Sequence, residues 1–578
     1  MDRRTVWAIL IMMVIAIAPA LLIKRPPPKP GPVGAADTSI SAPSPPPPAA
    51  APTAPADSVR RDSVPSDSVR PDTGRPAPAR GAEDTVRVSS PLYTFGFSTR
   101  GGRLVEASLT HYRSMDPAEA GRVSQIIAPG SNLLGLTLVI GRDTVSLADW
   151  PFTIRPESLS VNGPAELKLS ATRGAVAVDL TYAFRPDDYR VVISGRVSGV
   201  GPNGGQLLIG MGPTLGNTEA NEVENHRALA LVTKQRNADR TDFSSLKVGE
   251  PTTVSGPLEW VAVKSKYFVT AVFAFDSTGG AISGVTATGL PSSEKHPTSA
   301  DVRLSVPVPP SGAFEYSAYA GPMEYDRLSR MGHDFDDVNP YGWPGFRTII
   351  RPVAVAVRWL LVWMHEHLHL AYGLVLVFFG VLVRVLLWPL NQKAMRANMQ
   401  LQAVQPLMKD IQERYKNDPQ RLQQEMFKLY KEYKVNPLGG CWPMLLPMPV
   451  LFALFFVFQN SIELRGASFL WLPDLSRPDP LYIIPVIMGA SMWGLSKVGQ
   501  IGMEPNPQMK MMLYVMPVMM TFLFLNFASG LNLYYAVSNI ASIPQQWMLA
   551  RERLRKNAAP VVATKPAAVG AGKTKKKV

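Results

Sequence analysis

The stretch LAYGLVLVFFGVLVRVLLWPL, from Leu370 to Leu390, decides the fold of this chain. Its 21 residues are long enough, as a helix, to cross a hydrocarbon core of about 30 Å, so the pattern predicts a membrane span. The stretch carries one charged residue, Arg384, and a charge at the centre of a span costs roughly 2.5–3.5 kcal/mol. Such an arginine either faces a bundle interior or a water-filled cavity, or extends its side chain to the nearby interface.

Further uncharged stretches predict more helices that cross the membrane. They cover residues 435–462, 481–496 and 511–550. The last has 40 residues, about 60 Å as a helix, which is too long for one span and fits two with a turn at Ala528-Ser529-Gly530. Residues 1–23 are either a signal peptide or an uncleaved anchor. Pro19 directly follows the possible cleavage box Ala16-Ile17-Ala18, and this favours the anchor.

Charge distribution predicts the orientation in the membrane. The net charge is +14 and the hydrophobic content is 46%. A membrane protein with basic cytoplasmic segments accounts for both values, whereas nucleic-acid binding accounts only for the charge. Residues 391–440 hold nine Lys or Arg, against two in 462–480, so we expect both termini in the cytoplasm. Cys441 is the only cysteine, which excludes an intramolecular disulfide.

The region between the anchor and the other spans divides into a linker and a domain. Residues 24–85 are rich in Pro, Ala, Ser and Asp and predict a disordered spacer. From 86 to 335, short runs such as Val176–Phe184 alternate apolar and polar residues and are separated by Gly, Pro, Ser and Asp. This pattern predicts an all-β sandwich outside the cytoplasm. No clustered acid–base pair stands out in this stretch of sequence, so a structural or protein-binding module is expected.

Two amphipathic segments flank the first of these spans. Three arginines, spaced four and seven residues apart, fall on one helical face of residues 343–362, which predicts a helix lying in the membrane interface. Residues 391–436 predict a cytoplasmic helical hairpin broken at Asn417-Asp418-Pro419. The hairpin is rich in Met and Gln, which indicates either an adaptable surface for partners or ordinary packing between its two helices.

Polar residues recur at helical spacing in the last predicted span. Asn532, Tyr535 and Asn539 fall on one stripe, with Ser538 and Ser542 beside them. Together with the lone arginine of the first span, the stripe is consistent with a hydrated groove inside the bundle. The alternative is that these side chains form hydrogen bonds between helices, which is common in membranes.

The segment His365-Glu366-His367-Leu368-His369 matches the zinc-protease pattern H-E-x-x-H. In that pattern two histidines one helical turn apart bind zinc, and the glutamate acts as a base. A catalytic zinc usually has three protein ligands, and no third ligand is evident. We therefore expect no metal and no cofactor, and retain an intramembrane zinc metalloprotease as an alternative function.

Several motifs resemble the YidC membrane protein insertases, and the resemblance covers essentially the whole chain. The matching motifs are Asn436-Pro437-Leu438-Gly439-Gly440-Cys441, Met448-Pro449, Ser529-Gly530-Leu531, Leu533-Tyr534-Tyr535, Ser538-Asn539, and Arg384 followed by an aromatic residue and Pro389. Gly380 and Trp388 stand where Thr and Tyr are expected in this family, and Asn526 and Pro447 where Trp and Gln are expected.

The resemblance implies a multi-domain membrane protein. It has a periplasmic domain of the all-β, β-supersandwich type and an α-helical membrane core of five transmembrane helices, with an N-terminal anchor helix. The core encloses a groove open to the cytoplasm and to lipid. The expected substrate-groove residues are Arg384, Gly380, Trp388, Asn526, Asn532, Tyr534, Tyr535, Ser538 and Asn539.

The expected function is that of an insertase and membrane chaperone, not an enzyme. Nascent membrane proteins would pass from the cytoplasm into the inner membrane, from the ribosome, alone or with a Sec-type translocon. A small-solute transporter is a further alternative, although inverted repeats that would support it are not seen. Ribosomal RNA or membrane lipids are the expected contacts of the basic residues Arg551, Arg553, Arg555, Lys556, Lys573, Lys575, Lys576 and Lys577.

The predicted organisation is therefore a series of eleven segments. They are the anchor 1–23, the linker 24–85, the β domain 86–335, the interfacial helix 343–362, spans at 369–390, 437–462, 480–497, 510–528 and 530–550, the hairpin 391–436 between the first two of these spans, and the cytoplasmic tail 551–578.

Overall fold

The computed structural model describes residues 84–274, 282–342, 345–433, 448–503 and 507–558. The predicted anchor, nearly all of the predicted linker and the end of the basic tail lie outside these residues. Cys441 and Pro447 lie outside them as well.

The first half of the described chain is built from strands. In chain order they are β1 Thr85–Ser89, β2 Tyr93–Ser98, β3 Leu104–Arg113, β4 Val123–Gln125, β5 Leu136–Ile140, β6 Asp143–Ser146, β7 Thr153–Arg155, β8 Ser158–Ser160, β9 Ala165–Arg173, β10 Val176–Arg185, β11 Asp188–Ser198, β12 Gly205–Gly210, β13 Ala230–Lys234, β14 Ala238–Asp242, β15 Pro251–Leu258, β16 Trp260–Lys264, β17 Phe268–Phe273, β18 Ile282–Gly289, β19 Ala300–Val308 and β20 Ala313–Pro322.

These strands form three sheets around one core. Nine strands are ordered β14-β13-β16-β17-β20-β11-β10-β9-β7, six are ordered β15-β18-β19-β12-β5-β6, and five are ordered β4-β3-β2-β1-β8. Buried side chains from all three sheets belong to one continuous cluster. Phe97 of the five-stranded sheet, for example, packs edge-on against Tyr182 of the nine-stranded sheet, with ring centroids 5.0 Å apart.

The predicted period-two alternation is confirmed in β10. Val178, Leu180 and Tyr182 are buried whereas Asp179 is exposed, and β10 pairs antiparallel with β11. A sandwich has two sheets, whereas the structure has a third, because local alternation predicts strands but not which distant strands pair, such as β1 with β8.

The second half of the described chain is helical. The helices are α1 Glu222–Ala228 and α2 Tyr325–Arg330 in the β region, and then α3 Arg347–Leu368, α4 Tyr372–Ala403, α5 Gln405–Arg414, α6 Pro419–Glu432, α7 Met448–Asn460, α8 Ile483–Gly499, α9 Pro507–Phe524 and α10 Ser529–Ala558. By length and composition, α3 and residues 372–392 of α4 could each cross a membrane. The apolar helices α7, α8 and residues 509–524 of α9 are shorter.

Several helices extend beyond the predicted boundaries. α3 ends six residues after the predicted 343–362 segment, and α4 and α10 continue past Leu390 and Ala550. The predicted membrane spans in α4 and α10 end where apolar residues stop, and polar helix-forming residues follow in both places, so the backbone remains helical beyond the spans. The predicted break in the hairpin is present, with Asp418 capping α6 by accepting a hydrogen bond from the Arg421 N–H at 3.1 Å.

The turn before the last helix was predicted three residues too late. α9 ends at Phe524, and Ser529 and Gly530 already belong to α10. Their N–H groups donate to the carbonyls of Arg477 at 2.7 Å and Leu475 at 2.9 Å, which satisfies two of the free donors at a helix start. A Cβ at position 530 would collide with the Phe458 ring, so this glycine is required for close packing and not for a turn.

An arginine in the loop after α7 ties the helical region to the β domain. Arg465 donates through Nε to Glu219 at 2.8 Å, and through its two Nη atoms to the carbonyls of Arg113 and Thr218, each at 2.8 Å. The Arg465 and Glu219 side chains are only 4% and 10% exposed. The guanidinium also lies 5.4 Å from the ring centre of Phe268, so the arginine is held in a fitted socket.

A second contact joins the end of α7 to the β domain through amides. Asn339 donates to the Asn460 carbonyl at 3.4 Å, and Asn460 donates to the Pro340 carbonyl at 3.1 Å. Lys264 of β16 in turn donates to Asn339 Oδ1 at 2.7 Å. Burial lowers the pKa of Lys264 well below its usual value, so this lysine depends on its hydrogen bond more than a surface lysine does.

We predict that Arg465→Ala lowers the free energy of unfolding by about 3–5 kcal/mol, because it leaves the Glu219 carboxylate buried without its charged partner. Thermal unfolding in detergent and limited proteolysis of the loop measure the effect. The matched control is Arg87→Ala, which breaks an exposed ion pair to Glu106 and should cost less than about 1 kcal/mol. Equal effects of the two substitutions would show that the socket contributes no more than a surface pair.

Candidate functional site

Arg384 lies on α4 and faces the last helix. Its Nε donates to the Ser538 hydroxyl of α10 at 2.8 Å, and Ser538 is buried while Arg384 is half-buried. Among the described residues, no carboxylate pairs with Arg384. The arginine is therefore a charge inside the helical region whose described partner is a neutral hydroxyl.

The close approach of α4 and α10 around this arginine depends on Gly380. A Cβ at position 380 would lie 3.1 Å from Val537 Cγ1 and 3.6 Å from Tyr534 Cδ2. One residue earlier, the ring of Phe379 packs 5.7 Å from that of Tyr534. Gly380 and Tyr534 therefore lie in the same helix contact as Arg384, one turn along α4.

The predicted polar stripe of α10 divides between two faces. Ser538 contacts Arg384 of α4, whereas Asn539 donates to Ser491 of α8 at 3.2 Å. Asn532 donates to the Phe524 carbonyl at 3.0 Å and so satisfies one of the last carbonyls of α9. The described side-chain hydrogen bonds of Asn532 and Asn539 therefore run to neighbouring helices, as in the alternative arrangement.

Tyr535 has an unusual environment. Its hydroxyl is buried and has no hydrogen-bond partner among the described residues. Its ring packs against Phe524 at 5.6 Å and Tyr534 at 5.5 Å. A buried hydroxyl without a partner is costly and requires an explanation, such as a bound water or a client molecule.

Two further predicted groove residues, Trp388 and Asn526, are not part of the side-chain contact around Arg384. Trp388 is half-buried on α4, and the interaction found there is made by its backbone carbonyl, which accepts from Gln545 of α10 at 3.0 Å. Asn526 is exposed in the turn between α9 and α10, so the structure does not bring it to Arg384. Gln545 is not among the residues predicted from the sequence, although its offset of seven residues from Ser538 continues the same helical face.

The basic residues at the end of α10 are partly engaged within the protein. Arg553 donates to the carbonyls of Gly499 at 2.8 Å and Ile501 at 3.0 Å, and so caps the end of α8. Arg551 stacks on the Trp547 ring at 3.4 Å, and Arg555 is exposed. Arg553 is therefore held at the end of α8, because carbonyls at a helix end attract a guanidinium. The side chains of Lys556 and the later lysines lie outside the described residues.

The H-E-x-x-H segment does not have zinc-protease geometry. His365 is in α3, but His369 terminates that helix with φ at 51°, so the two histidines do not follow each other on a continuous helix. The His365 Nδ1 atom lies 2.7 Å from the Leu370 carbonyl, and its ring stacks on Tyr372 at 4.0 Å. Within the part of the chain that the structure describes, no group of three or more His, Cys, Asp or Glu side chains could hold a metal ion.

Comparison with known proteins agrees with this architecture. The family model described as "60Kd inner membrane protein" matches residues 363–557, and the model "YidC periplasmic domain" matches residues 85–355. The two matches meet within α3, where the sheets end and the membrane helices begin. Together they define an integral inner-membrane protein that carries a periplasmic domain.

Individual relatives identify the family. "Membrane protein insertase YidC" of Oleidesulfovibrio alaskensis is 34% identical over 495 residues, which cover 82% of this chain and 88% of that protein. The protein of the same name from Chlorobaculum tepidum is 30% identical over 493 residues, covering 81% and 82%. That of Syntrophus aciditrophicus is 29% identical over 572 residues, covering 96% and 100%. The chain belongs to the YidC family and is a membrane protein insertase.

We predict that His369→Gly leaves insertion unchanged and raises the free energy of unfolding by about 1 kcal/mol. Glycine adopts positive φ without the steric cost that a histidine incurs. The measurement is thermal unfolding alongside an insertion assay on the same preparation. A structural or catalytic zinc ligand predicts the opposite sign. Loss of stability on His369→Gly, together with zinc bound in equal amount to the wild-type chain, would restore the protease alternative.

Proposed function

We propose that Arg384 hydrates a groove between α4 and α10 that receives nascent hydrophobic segments from the cytoplasm. The observation that carries this proposal is the hydrogen bond to Ser538, which occupies only the Nε donor. A guanidinium has five N–H donors, so the two terminal nitrogens remain to be satisfied. A charge without a counter-charge is costly in hydrocarbon, and water or the polar flank of a client removes that cost.

The groove we propose extends along α10. Gly380 and Tyr534 lie beside Arg384, and Tyr535 offers a buried hydroxyl without a described partner. Trp388 lies one turn toward the cytoplasmic end of α4. Asn532 and Asn539 would act indirectly, since their hydrogen bonds to α9 and α8 hold α10 in position. Asn526 is exposed in its turn and is left out of this groove.

We assign α3 to the membrane interface, although its length would allow it to span. Arg347 pairs with Asp337, Arg351 with Asp336 at 2.5 Å, and Arg358 with Asp326 at 2.9 Å and Glu463 at 2.5 Å. Arg358 is eleven residues beyond Arg347, about 17 Å along the helix. Its partners belong to the end of the β domain and to the loop after α7. A spanning orientation would place Arg358 deep in hydrocarbon, away from these periplasmic groups.

The remaining topology follows from this assignment and from charge. The apolar part of α4 and helices α7, α8, α9 and α10 are the five spans, and the N-terminal segment is the anchor. The basic hairpin containing α5 and α6 and both termini lie in the cytoplasm.

The insertion reaction we propose requires no covalent chemistry. A client segment enters from the cytoplasmic side, and its polar flank rests in the hydrated groove while its apolar part reaches lipid between the helices. Transfer of apolar surface from water into hydrocarbon supplies the driving force, and the membrane potential acts on charges of the flank. The ribosome, membrane lipids and a Sec-type translocon are the proposed partners.

We predict that Arg384→Ala reduces insertion of a client with an acidic exported flank by roughly tenfold, whereas Arg384→Lys stays close to wild type. A hydrogen bond to a charged group is worth about 1.5–3 kcal/mol, and 1.4 kcal/mol corresponds to a factor of ten. Lysine keeps the hydrated charge but not the planar fork. Insertion is measured in vesicles at matched protein levels.

Ser538→Ala is the matched control for this prediction. It removes the described partner of Arg384 but keeps the charge, so a hydrated-charge role predicts near-normal insertion. If Ser538→Ala instead reproduces the defect of Arg384→Ala, the arginine acts as a structural tie between α4 and α10.

A second prediction concerns the C-terminal tail. Residues 557–578 contain five lysines, and contacts between lysines and phosphates weaken steeply with salt. If each lysine meets one phosphate of ribosomal RNA, doubling the salt lowers affinity by about tenfold. Replacing the five lysines by glutamine keeps the length of the tail and should abolish that salt dependence in ribosome co-sedimentation. An unchanged salt dependence would favour anionic lipid as the contact of the tail.

A further inference from the structure

The loop between α7 and α8, residues 461–482, exposes a cluster of apolar side chains. We call this segment the outer loop. Leu470 is 75% exposed, Leu481 60%, Tyr482 52% and Trp471 36%. Large apolar residues grouped in this way indicate an interaction surface.

The position of the outer loop is set at both of its ends. Near its start, Arg465 is buried in its socket on the β domain, which places the loop on the periplasmic side. Its last residue, Tyr482, directly precedes the apolar helix α8. The exposed side chains therefore lie where a periplasmic segment enters a membrane span.

The length of α8 indicates the surroundings of these exposed side chains. α8 has 17 residues, about 26 Å, which is shorter than a hydrocarbon core of about 30 Å. If α8 spans this core and Lys497 in its last turn marks the cytoplasmic boundary, then the residues directly before Ile483 lie at or within the outer boundary. Leu481 and Tyr482 have the apolar and aromatic side chains that favour this depth.

A buried carboxylate holds the cluster in place. Asp479 is fully buried, and its Oδ1 accepts from the Trp471 indole N–H at 3.1 Å and from the Leu481 N–H at 3.0 Å. Its Oδ2 accepts from the Ile484 N–H at 2.7 Å. The polar edge of the indole is thus satisfied inside the protein, and the apolar part of the ring is left outside.

The backbone of the outer loop is also unusual. Leu470 has φ at 54° and Tyr482 at 57°, in the left-handed region that glycine or asparagine normally occupies. Within the described residues, Leu470 remains three-quarters exposed and Tyr482 about half exposed. A partner outside the chain that buries these two side chains would offset the cost of their backbone conformation.

We propose that the outer loop is a lipid anchor, which inserts Leu470, Trp471, Leu481 and Tyr482 into the outer leaflet of the bilayer. Asp479 is its positioning residue. Through Arg465 the same loop holds the β domain, so the anchor sets the height of that domain above the membrane. The partner is the lipid bilayer itself and not another protein.

Depth measurement by spin labelling tests the proposal. A nitroxide is attached at Leu470→Cys in a Cys441→Ser background, and the full chain is reconstituted in vesicles of phosphatidylethanolamine and phosphatidylglycerol. Oxygen concentrates in lipid and a nickel complex stays in water, so the ratio of their collision rates reports depth. Val486→Cys on α8 and Val248→Cys on the β domain, whose native side chains are 56% and 54% exposed, serve as the lipid and water references.

At position 470, the expected ratio of the oxygen collision rate to the nickel collision rate is several-fold above that at 248 and close to that at 486. A ratio equal to that at 248 would place the loop in water and overturn the proposal. Protection from both reagents would also overturn it, because a protein would then cover the loop. The result at position 470 in the otherwise native loop decides between these outcomes.

The role of Asp479 is tested by the same label in an Asp479→Asn background. The asparagine retains a carbonyl oxygen but cannot accept from both Oδ positions, so the cluster should loosen and the ratio at 470 should fall toward that at 248. An unchanged ratio in this variant would remove Asp479 from the proposal. A further check is the double variant Leu470→Asn with Tyr482→Asn, in which asparagine tolerates the left-handed backbone but the apolar side chains are lost. A nitroxide at Leu481→Cys should lie at a shallower depth in that variant.

Discussion

The helical half of this protein is organised around a guanidinium with no described counter-charge. Arg384 can remain in an apolar helix only if its donors are satisfied, and one of them is satisfied by a hydroxyl on α10. That contact requires α4 and α10 to approach closely, which the missing side chain at Gly380 allows. The hydrogen bonds from Asn539 to α8 and from Asn532 to the end of α9 then fix α10 on its other side. The same helix therefore carries the polar contact and the bonds that locate it.

The periplasmic domain is held to these helices by charge as well as by covalent continuity. The Arg465 socket and the paired arginines of α3 all meet acidic or carbonyl groups at the boundary between the two regions. Arg465 and Arg358 are only 4% and 5% exposed, so carboxylates and carbonyls of the protein take the place of water around these two guanidinium groups. The β domain is consequently oriented with respect to the spans, while its own stability comes from an apolar core shared by three sheets.

Sequence patterns predicted those features that depend on neighbouring residues. The alternation in β10, the apolar part of α4 and the break before α6 each follow from a local period or a local residue preference. The predicted spans in α4 and α10 stop with the apolar residues whereas the helices continue, because polar helix formers carry no signal of where lipid stops. The Arg384–Ser538 and Arg465–Glu219 contacts join residues 154 and 246 positions apart, and no local pattern encodes such pairs. The left-handed backbone at His369 is set by how α3 ends, so the motif alone was misleading.

The unbroken course of α4 has a mechanical consequence. At 32 residues the helix is about 48 Å long, so about 18 Å extends beyond a hydrocarbon core of about 30 Å. Pro389 lies five residues after Arg384 and removes one backbone hydrogen bond, which makes this point the softest part of the rod. A force applied to the cytoplasmic end of α4 would bend the helix at this point, beside Arg384. A load outside the membrane would thereby reach the wall of the groove proposed above.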